Sequence, residues 1–220
     1  MRLPPELADD RARALALTPV SRETLARLDA FVELLLEWSA HTNLIGRSTV
    51  PQLWTRHISD SLQLLDLAPA ARTWIDLGSG AGFPGLVIAC ALADTPGAIS
   101  HLVESSTKKA RFLRDAARVT GAPAKVHAVR IDKFVTSFHG QADAITARAL
   151  SPLKPLLDQS LGLFKGGAMG LFPKGQDVAA ELTEASKYWN IEAELVPSRT
   201  DPNGRIVVVR ALERRTAADA

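Results

Sequence analysis

The sequence predicts an α/β fold: a Rossmann-like, mainly parallel sheet covered by helices on both faces, preceded by a short N-terminal helical cap. Three observations predict it. From Thr73 onward, short strand-like runs alternate with helical patterns, as strand–helix–strand crossovers require. Glycines at 78, 80 and 82 stand between the first such strand and the helix that follows it. The last two strand-like runs are joined by Asp201-Pro202-Asn203-Gly204, a hairpin signal, which predicts one antiparallel strand at an edge of the sheet.

Taken in order, residues 1–20 are expected to be loose or weakly helical. Residues 21–70 form the cap. Ser21 can cap a helix over 22–38, where Leu25, Leu28, Val32 and Leu35 recur at helical spacing. A second helix is expected over 51–67, with Pro51 at its start and Trp54, Ile58, Leu62 and Leu65 on its apolar side. The main domain is expected over 71–220. Its strands are predicted over 73–78, 99–104, 124–130, 142–148, 168–172, 191–196 and 205–212. Helices are predicted over 84–93, 107–120, 152–164 and 178–188.

Composition narrows the class. The 220 residues are 46% hydrophobic and 23% charged, which suits a globular domain that buries its core without a covalent staple. Cys90 is the single cysteine, so an intramolecular disulfide and a cysteine-rich zinc site are both excluded. The N-terminus lacks a signal-type apolar core, and the longest apolar run, 86–93, is far short of the ~18–20 residues that cross a bilayer. A cytoplasmic protein with no membrane partner is expected. Net charge is only +2, but Lys108, Lys109, Arg111, Arg114 and Arg118 face a single acid, Asp115, within one predicted helix. Charge alone leaves two readings open, a solvated face or a face for an anionic partner.

The stretch from Ile75 to Gly85 removes Cβ atoms where backbone bends sharply against a ligand. Gly80-x-Gly82-x-x-Gly85 also fits a dinucleotide fingerprint, with Glu104 placed to hold a ribose. Three features count against that ligand. Asp76 at the strand end would repel a pyrophosphate, Asp132 at the end of the third strand adds another acid, and the chain has no room for a substrate domain. S-adenosylmethionine carries no phosphate and is net positive, so carboxylates around it are favourable. Glu104 could accept both ribose hydroxyls, Asp132 the adenine amino group, and Asp76 could orient the loop or the methionine end. A capping role for Glu104 and a turn role for Asp132 stay open as structural alternatives.

The residues now in view resemble the glucose-inhibited division protein B family. The matching pieces are Asn43-Leu44, Arg56-His57-x-x-Asp60-Ser61-Leu62, Asp76 to Leu86, Lys108-Lys109-x-x-Phe112-Leu113, Ala147 to Leu150, Lys174-Gly175 and Gly204-Arg205. The resemblance implies a class I S-adenosylmethionine-dependent methyltransferase with seven strands, acting on N7 of a guanine in small-subunit (16S) rRNA near the decoding region. It implies cofactor contacts at Gly78, Phe83, Ile131-Asp132 and Arg148, beside Asp76, Gly80, Gly82 and Glu104, which the residues themselves offer. The family usually has Ala-Glu at 131–132 and often Ser at 147, and this chain departs at both places.

The side chains narrow the chemistry. Methylation of pyrimidine C5 needs a cysteine nucleophile, and Cys90 reads as a small buried residue. Methylation of an exocyclic amine commonly uses an aromatic clamp after the fourth strand, where this chain reads ARALSPL. Guanine N7 already carries an in-plane lone pair and needs only alignment. Arg148 is the candidate catalytic residue, able to contact the cofactor carboxylate, a substrate phosphate or guanine O6, with a structural ion pair as the alternative. Lys108, Lys109, Arg111, Lys174 and Arg205 are the candidates for RNA contact, with free rRNA and an assembled ribosomal particle both open as the substrate. Arg56 and Asp60 are spaced to pair on one helix, and His57 either reaches toward the site or, the favoured reading, is a satisfied, half-buried histidine. The histidines show no metal-ligand spacing, so no metal is expected. A small-molecule methyltransferase, a non-catalytic RNA-binding assembly factor and an NAD enzyme are the rival readings.

Overall fold

The computed structural model describes residues 5–215. Pro5–Leu17 forms helix α1, the helical of the two states expected for this segment; residues 1–4 lie outside the described residues. The acids that interrupt this segment hide its buried side. Leu7 and Ala14 join the core, and the fully buried Asp10 accepts from the Trp54 amide at 2.8 Å and the Thr55 amide at 3.2 Å.

Helix α2, Arg22–Ser39, starts where Ser21 accepts from the Thr24 amide at 3.1 Å, and it buries Leu28, Phe31, Val32 and Leu35. The single helix expected over 51–67 is instead a series of short pieces. They are a 3-10 turn (Arg47–Gln52), a π-helical turn (Trp54–Ser59), α3 (Asp60–Leu62) and α4 (Leu64–Leu67). The π-helical turn begins with two amides bonded to Asp10, a long-range cap that local sequence could not reveal.

The strands are β1 (Thr73–Leu77), β2 (Ile99–Val103), β3 (Ala124–His127), β4 (Ala144–Thr146), β5 (Met169–Lys174), β6 (Trp189–Pro197) and β7 (Arg205–Arg214). They form one seven-stranded sheet in the order β3-β2-β1-β4-β5-β7-β6. β1 to β5 are parallel, and β7 runs antiparallel to both β5 and β6. The antiparallel strand therefore lies inside the sheet, second from the edge. Nine-residue β6 forms the outer edge and leads through the Asp201–Gly204 turn into β7, and in that turn the Gly204 amide donates to the Asp201 carbonyl.

Helices α5 (Gly85–Ala91), α6 (Thr107–Thr120), α7 (Ile131–Ser137), α8 (Leu153–Phe164) and α9 (Val178–Ala185) cover the two faces. Sequence patterning missed α7, because its seven residues carry one fully buried anchor, Phe134, too few for a period to show. The N-terminal helices share a core with α5 and α6: Phe31, Val32, Trp54, Leu86, Val87, Phe112 and Leu113 lie in one cluster. Phe134, Leu153, Leu157, Phe172 and Trp189 fill the opposite face. Strand order reverses between β1 and β4, and an open α/β sheet binds ligands at such a switch point, beyond the carboxyl ends of its strands.

Candidate functional site

The glycine loop leaves β1 at this switch point. Gly78, Gly80 and Gly82 have φ of 72°, 54° and 93°, the left-handed region that suits glycine. Asp76 anchors the loop from below. It is 1% exposed, its Oδ1 accepts from the Thr146 hydroxyl at 2.8 Å, and its Oδ2 accepts from the Gly85 amide at 3.2 Å. Burial pushes its carboxyl up to about 6 against the pull of these bonds. Asp76 thus holds the loop and the first turn of α5, the loop-orienting role of the two considered for it.

Glu104 closes the loop from the side. Its Oε2 accepts from the Gly80 amide at 2.9 Å and its Oε1 from the Ser106 amide at 2.7 Å. The loop amide and the α5 terminus that a pyrophosphate would use are thus both bonded to carboxylates. The donor set does not suit a dinucleotide phosphate. It suits a cationic, phosphate-free ligand, and a Cβ on Gly80 would meet nothing nearer than the Gly78 carbonyl at 3.7 Å, so space lies open there.

Phe83 is 5% exposed and carries three partners on its ring. His57 stacks on it with centroids 4.9 Å apart, Phe31 lies at 5.4 Å, and the Arg148 guanidinium sits 5.1 Å from its centroid. Arg148 follows β4, and the next residue, Ala149, has φ 51°, a rare conformation for a residue with a Cβ. Arg148 Nη1 donates to the Arg56 carbonyl at 3.0 Å and lies 3.6 Å from Asp60 Oδ2. So Asp60 pairs with Arg148, not with Arg56 on its own helix, and the Arg56 side chain is exposed.

His57 is not the satisfied histidine expected. Burial, with Arg148 and Arg56 nearby, lowers it to about 3, so it is neutral. Its Nε2 lies 3.4 Å from the Thr49 hydroxyl, whose proton goes to the Gly46 carbonyl at 2.7 Å, while its Nδ1 is buried without a partner. Its sequence signal was the motif that also carries Arg56 and Asp60.

A cleft of about 960 Å³ opens beside Arg148. Arg56, His57, Arg148, Ser151, Thr200 and Arg205 are among its lining residues, so its walls come from the cap, the β4–α8 loop and the β6–β7 turn. Of the expected RNA contacts, Arg205 and Lys174 line it, and Arg205 Nη1 donates to the Pro202 and Gly204 carbonyls. The Lys174 ammonium is bonded to Glu181 at 2.8 Å and to the Ser151 carbonyl at 2.7 Å, and the side chain is only 10% exposed, so on the cleft wall it ties β5 to the β4–α8 loop.

Lys108, Lys109 and Arg111 stand on α6 without a carboxylate partner among the described residues; Lys108 Nζ reaches the His41 carbonyl at 3.4 Å. Ile131 and Asp132 form the first turn of α7 and do not end β3, which stops at His127. Asp132 is exposed and accepts from Arg130 Nε at 3.2 Å, so its carboxylate already has a partner. Cys90 is buried, and burial pushes its thiol up to about 12, far from a nucleophile. Among the described residues no group of His, Cys, Asp or Glu could hold a metal ion.

A family profile described as GidB, rRNA small subunit methyltransferase G, matches residues 24–207. The chain is 61% identical over 211 residues to "Ribosomal RNA small subunit methyltransferase G" of Bradyrhizobium sp. (strain ORS 278), covering 96% of this chain and 95% of that protein. It is 62% identical over 208 residues to the protein of that name from Bradyrhizobium sp. (strain BTAi1 / ATCC BAA-1182), covering 94% of each. Among solved structures, the O-methyltransferase from Bacillus cereus in complex with SAH superposes with TM-score 0.61 at 15% identity, over 92% of this chain and 97% of that one. TomG from Streptomyces achromogenes, in complex with SAM, gives 0.59 at 12% identity, over 96% and 100%. At these identities the solved structures share the fold alone.

Proposed function

This chain belongs to the GidB family of small-subunit rRNA methyltransferases, and on that premise we propose that it methylates N7 of a guanine in 16S rRNA near the decoding region. The cofactor is S-adenosylmethionine, whose sulfonium supplies an electrophilic methyl group. The observation that carries the reading is the position of Arg148, on the Phe83 ring behind the glycine loop and on the wall of the cleft at once. The groups beside it offer no base working near neutrality: His57, at about 3, is too weak, Asp60 is held against Arg148, and Asp76, raised to about 6, is sealed beneath the loop with both oxygens bonded. An acceptor that needs no deprotonation fits such a wall, and N7 is one.

Gly78, Gly80, Gly82 and Glu104 would hold the cofactor's ribose and methionine end, with Phe83 behind them. Ile131-Asp132 would take the adenine side, and Asp76 keeps the loop in shape. Residues 21–70 act as a cap on the methyltransferase domain 71–220 and supply the cleft wall that carries Arg56, His57 and Asp60. The guanosine would enter this cleft, with its flanking backbone on Arg205 and on Lys108, Lys109 and Arg111. The protein would work in the cytoplasm, on free rRNA or on an assembled particle; no helix among the described residues is long and apolar enough to cross a membrane. Mass-spectrometric mapping of small-subunit rRNA with and without this protein tests the reading. One guanine should lose an N7 methyl group when the protein is absent, and an unchanged modification map would end the proposal.

A further inference from the structure

We propose that Asp60 and Thr200 are positioning residues for Arg148, so that the β6–β7 turn, remote in sequence from the cofactor loop, sets the guanidinium in place. This rests on the reading of Arg148 as the group that aligns cofactor and guanine. The geometry begins at the carboxylate. Asp60 Oδ1 accepts from the Thr200 hydroxyl at 2.9 Å and from Gln63 Nε2 at 2.8 Å. Both donors fall on the same oxygen, which leaves Oδ2 turned toward the Arg148 guanidinium at 3.6 Å.

The donors are themselves fixed. Gln63 is 3% exposed; its Oε1 accepts from the Arg199 amide at 2.9 Å, and its Nε2 lies 3.3 Å from the Ser198 hydroxyl. The Thr200 amide donates to Ser198 Oγ at 3.2 Å, and the Ser198 amide donates to the Gly204 carbonyl at 3.1 Å. The entry to β7 is thereby bolted to the carboxylate that faces Arg148.

Burial disfavours the Asp60 charge, and Arg148 is the largest influence opposing that. The side chains of Arg148 and Asp60 are 18% and 15% exposed, so neither charge is well solvated alone. Of the five guanidinium N–H donors, the structure bonds one, on Nη1, to the Arg56 carbonyl, turns Nη1 toward Asp60 as well, and holds the guanidinium against the Phe83 ring. The Nε and Nη2 donors make no hydrogen bond among the described residues, and their direction toward a ligand depends on where Asp60 holds the group.

The test uses the full-length protein in single-turnover methyl transfer to small-subunit particles. Thr200→Val removes the hydroxyl at nearly constant shape. It should slow transfer about tenfold, since a 1 Å misplacement costs ~100-fold in rate and this shift is smaller. Cofactor Kd by calorimetry and particle affinity should stay near wild-type values, the protein should stay folded at the assay temperature with only a small drop in Tm, and Thr200→Ser should restore the rate. In an Asp60→Asn background, Thr200→Val should add almost nothing, because both changes act through one carboxylate. The Arg148 Nε–H NMR signal should be sharp in the wild type and broadened in Thr200→Val without any substrate present. An unchanged rate and signal in Thr200→Val would overturn the proposal, as would additive losses or a loss that follows particle affinity. Failure of the wild-type protein to methylate at all would instead strike the functional reading beneath it.

Discussion

Asp76 on β1 and Thr146 on β4 are directly opposed across the parallel pair, and the Thr146 hydroxyl donates to Asp76 Oδ1 at 2.8 Å. This bond spans the crevice between the two halves of the sheet, beneath the glycine loop. The carboxyl of Asp76 is fully enclosed and raised to about 6 by burial. Its folded value lies above its unfolded value near 4, so the group favours folding most below about pH 4. That contribution is lost as pH rises through 6, a change on the order of 3 kcal/mol for about two pH units. Asp76→Asn removes the titration. Urea unfolding from pH 4 to 7 should show wild type losing stability relative to Asp76→Asn as pH rises, and a pH-independent difference would refute it.

His57 shifts the other way. Burial and the neighbouring Arg148 and Arg56 lower it to about 3, below its unfolded value near 6.5. Its contribution to stability is full above about 6.5 and is lost as pH falls toward 3. Across the neutral range it stays uncharged, so its ring proton resonances should not move between pH 8 and 5. A midpoint near 6.5 in that NMR titration would show an exposed imidazole instead of one stacked on Phe83.

Gly85 tests packing beneath the loop. A Cβ there would lie 2.5 Å from both Asp76 Cβ and Leu102 Cδ2, which the α5–β1 contact cannot accommodate without moving. Gly85→Ala should cost about 1–3 kcal/mol in urea unfolding through overpacking. Gly97 is the control: its φ is 75°, but a Cβ would meet nothing within 4 Å, so Gly97→Ala should show backbone strain alone, about 1–2 kcal/mol. Cofactor binding should weaken only in Gly85→Ala. Equal weakening in both would mean the effect is general loss of stability.

Lys109 and Arg111 test the path of the RNA. For every phosphate the protein no longer neutralises, the salt slope should fall by roughly 0.7 log units per decade for single strands. Lys109→Glu with Arg111→Glu should weaken RNA binding while leaving cofactor affinity near wild type. Arg56→Glu, on the cleft wall, should do the same and also slow transfer. If only Arg56→Glu has an effect, α6 is a solvated face.

Local patterns carried most of the fold to the surface of the sequence. The predicted bounds of α6 coincide with those observed, because Ser106 caps it, Gly121 ends it with φ 62°, and Phe112, Leu113 and Ala116 mark its period. The glycine loop was legible for the same reason, its glycines being neighbours along the chain, whereas Glu104 bonds Gly80 from 24 residues on and was read from its place after the second strand. What stayed hidden depends on distant partners. Asp10 reads as a surface acid until Trp54 and Thr55 are seen to donate to it. Asp60 invited a pairing with Arg56, four residues away, yet it faces Arg148 and Thr200. Lys174 looked like a free cation because Glu181, its partner, is seven residues away in another element.

Arg148 carries the last prediction, on the chemical step. Attack by N7 places positive charge on the purine while the sulfonium loses its own, so no proton need leave before transfer. The single-turnover rate should therefore show no dependence on a base titrating near neutrality, in keeping with a His57 that is already uncharged there. On the proposal that Arg148 aligns the partners from its place on the Phe83 ring, Arg148→Ala should lower transfer by about 100-fold, the scale of a 1 Å misplacement. Removing it also leaves Asp60 without its cation, so unfolding must be measured beside the rate to show the protein still folds. Arg148→Lys should recover only part of the loss, because an ammonium cannot bond the Arg56 carbonyl and still present a planar fork to a ligand. Labelled methyl transfer to small-subunit particles reads the rate, and aniline cleavage at the modified base reports N7. Near-normal transfer by a folded Arg148→Ala would remove Arg148 from the mechanism, and a methylated product that resists cleavage would move the methyl group off N7.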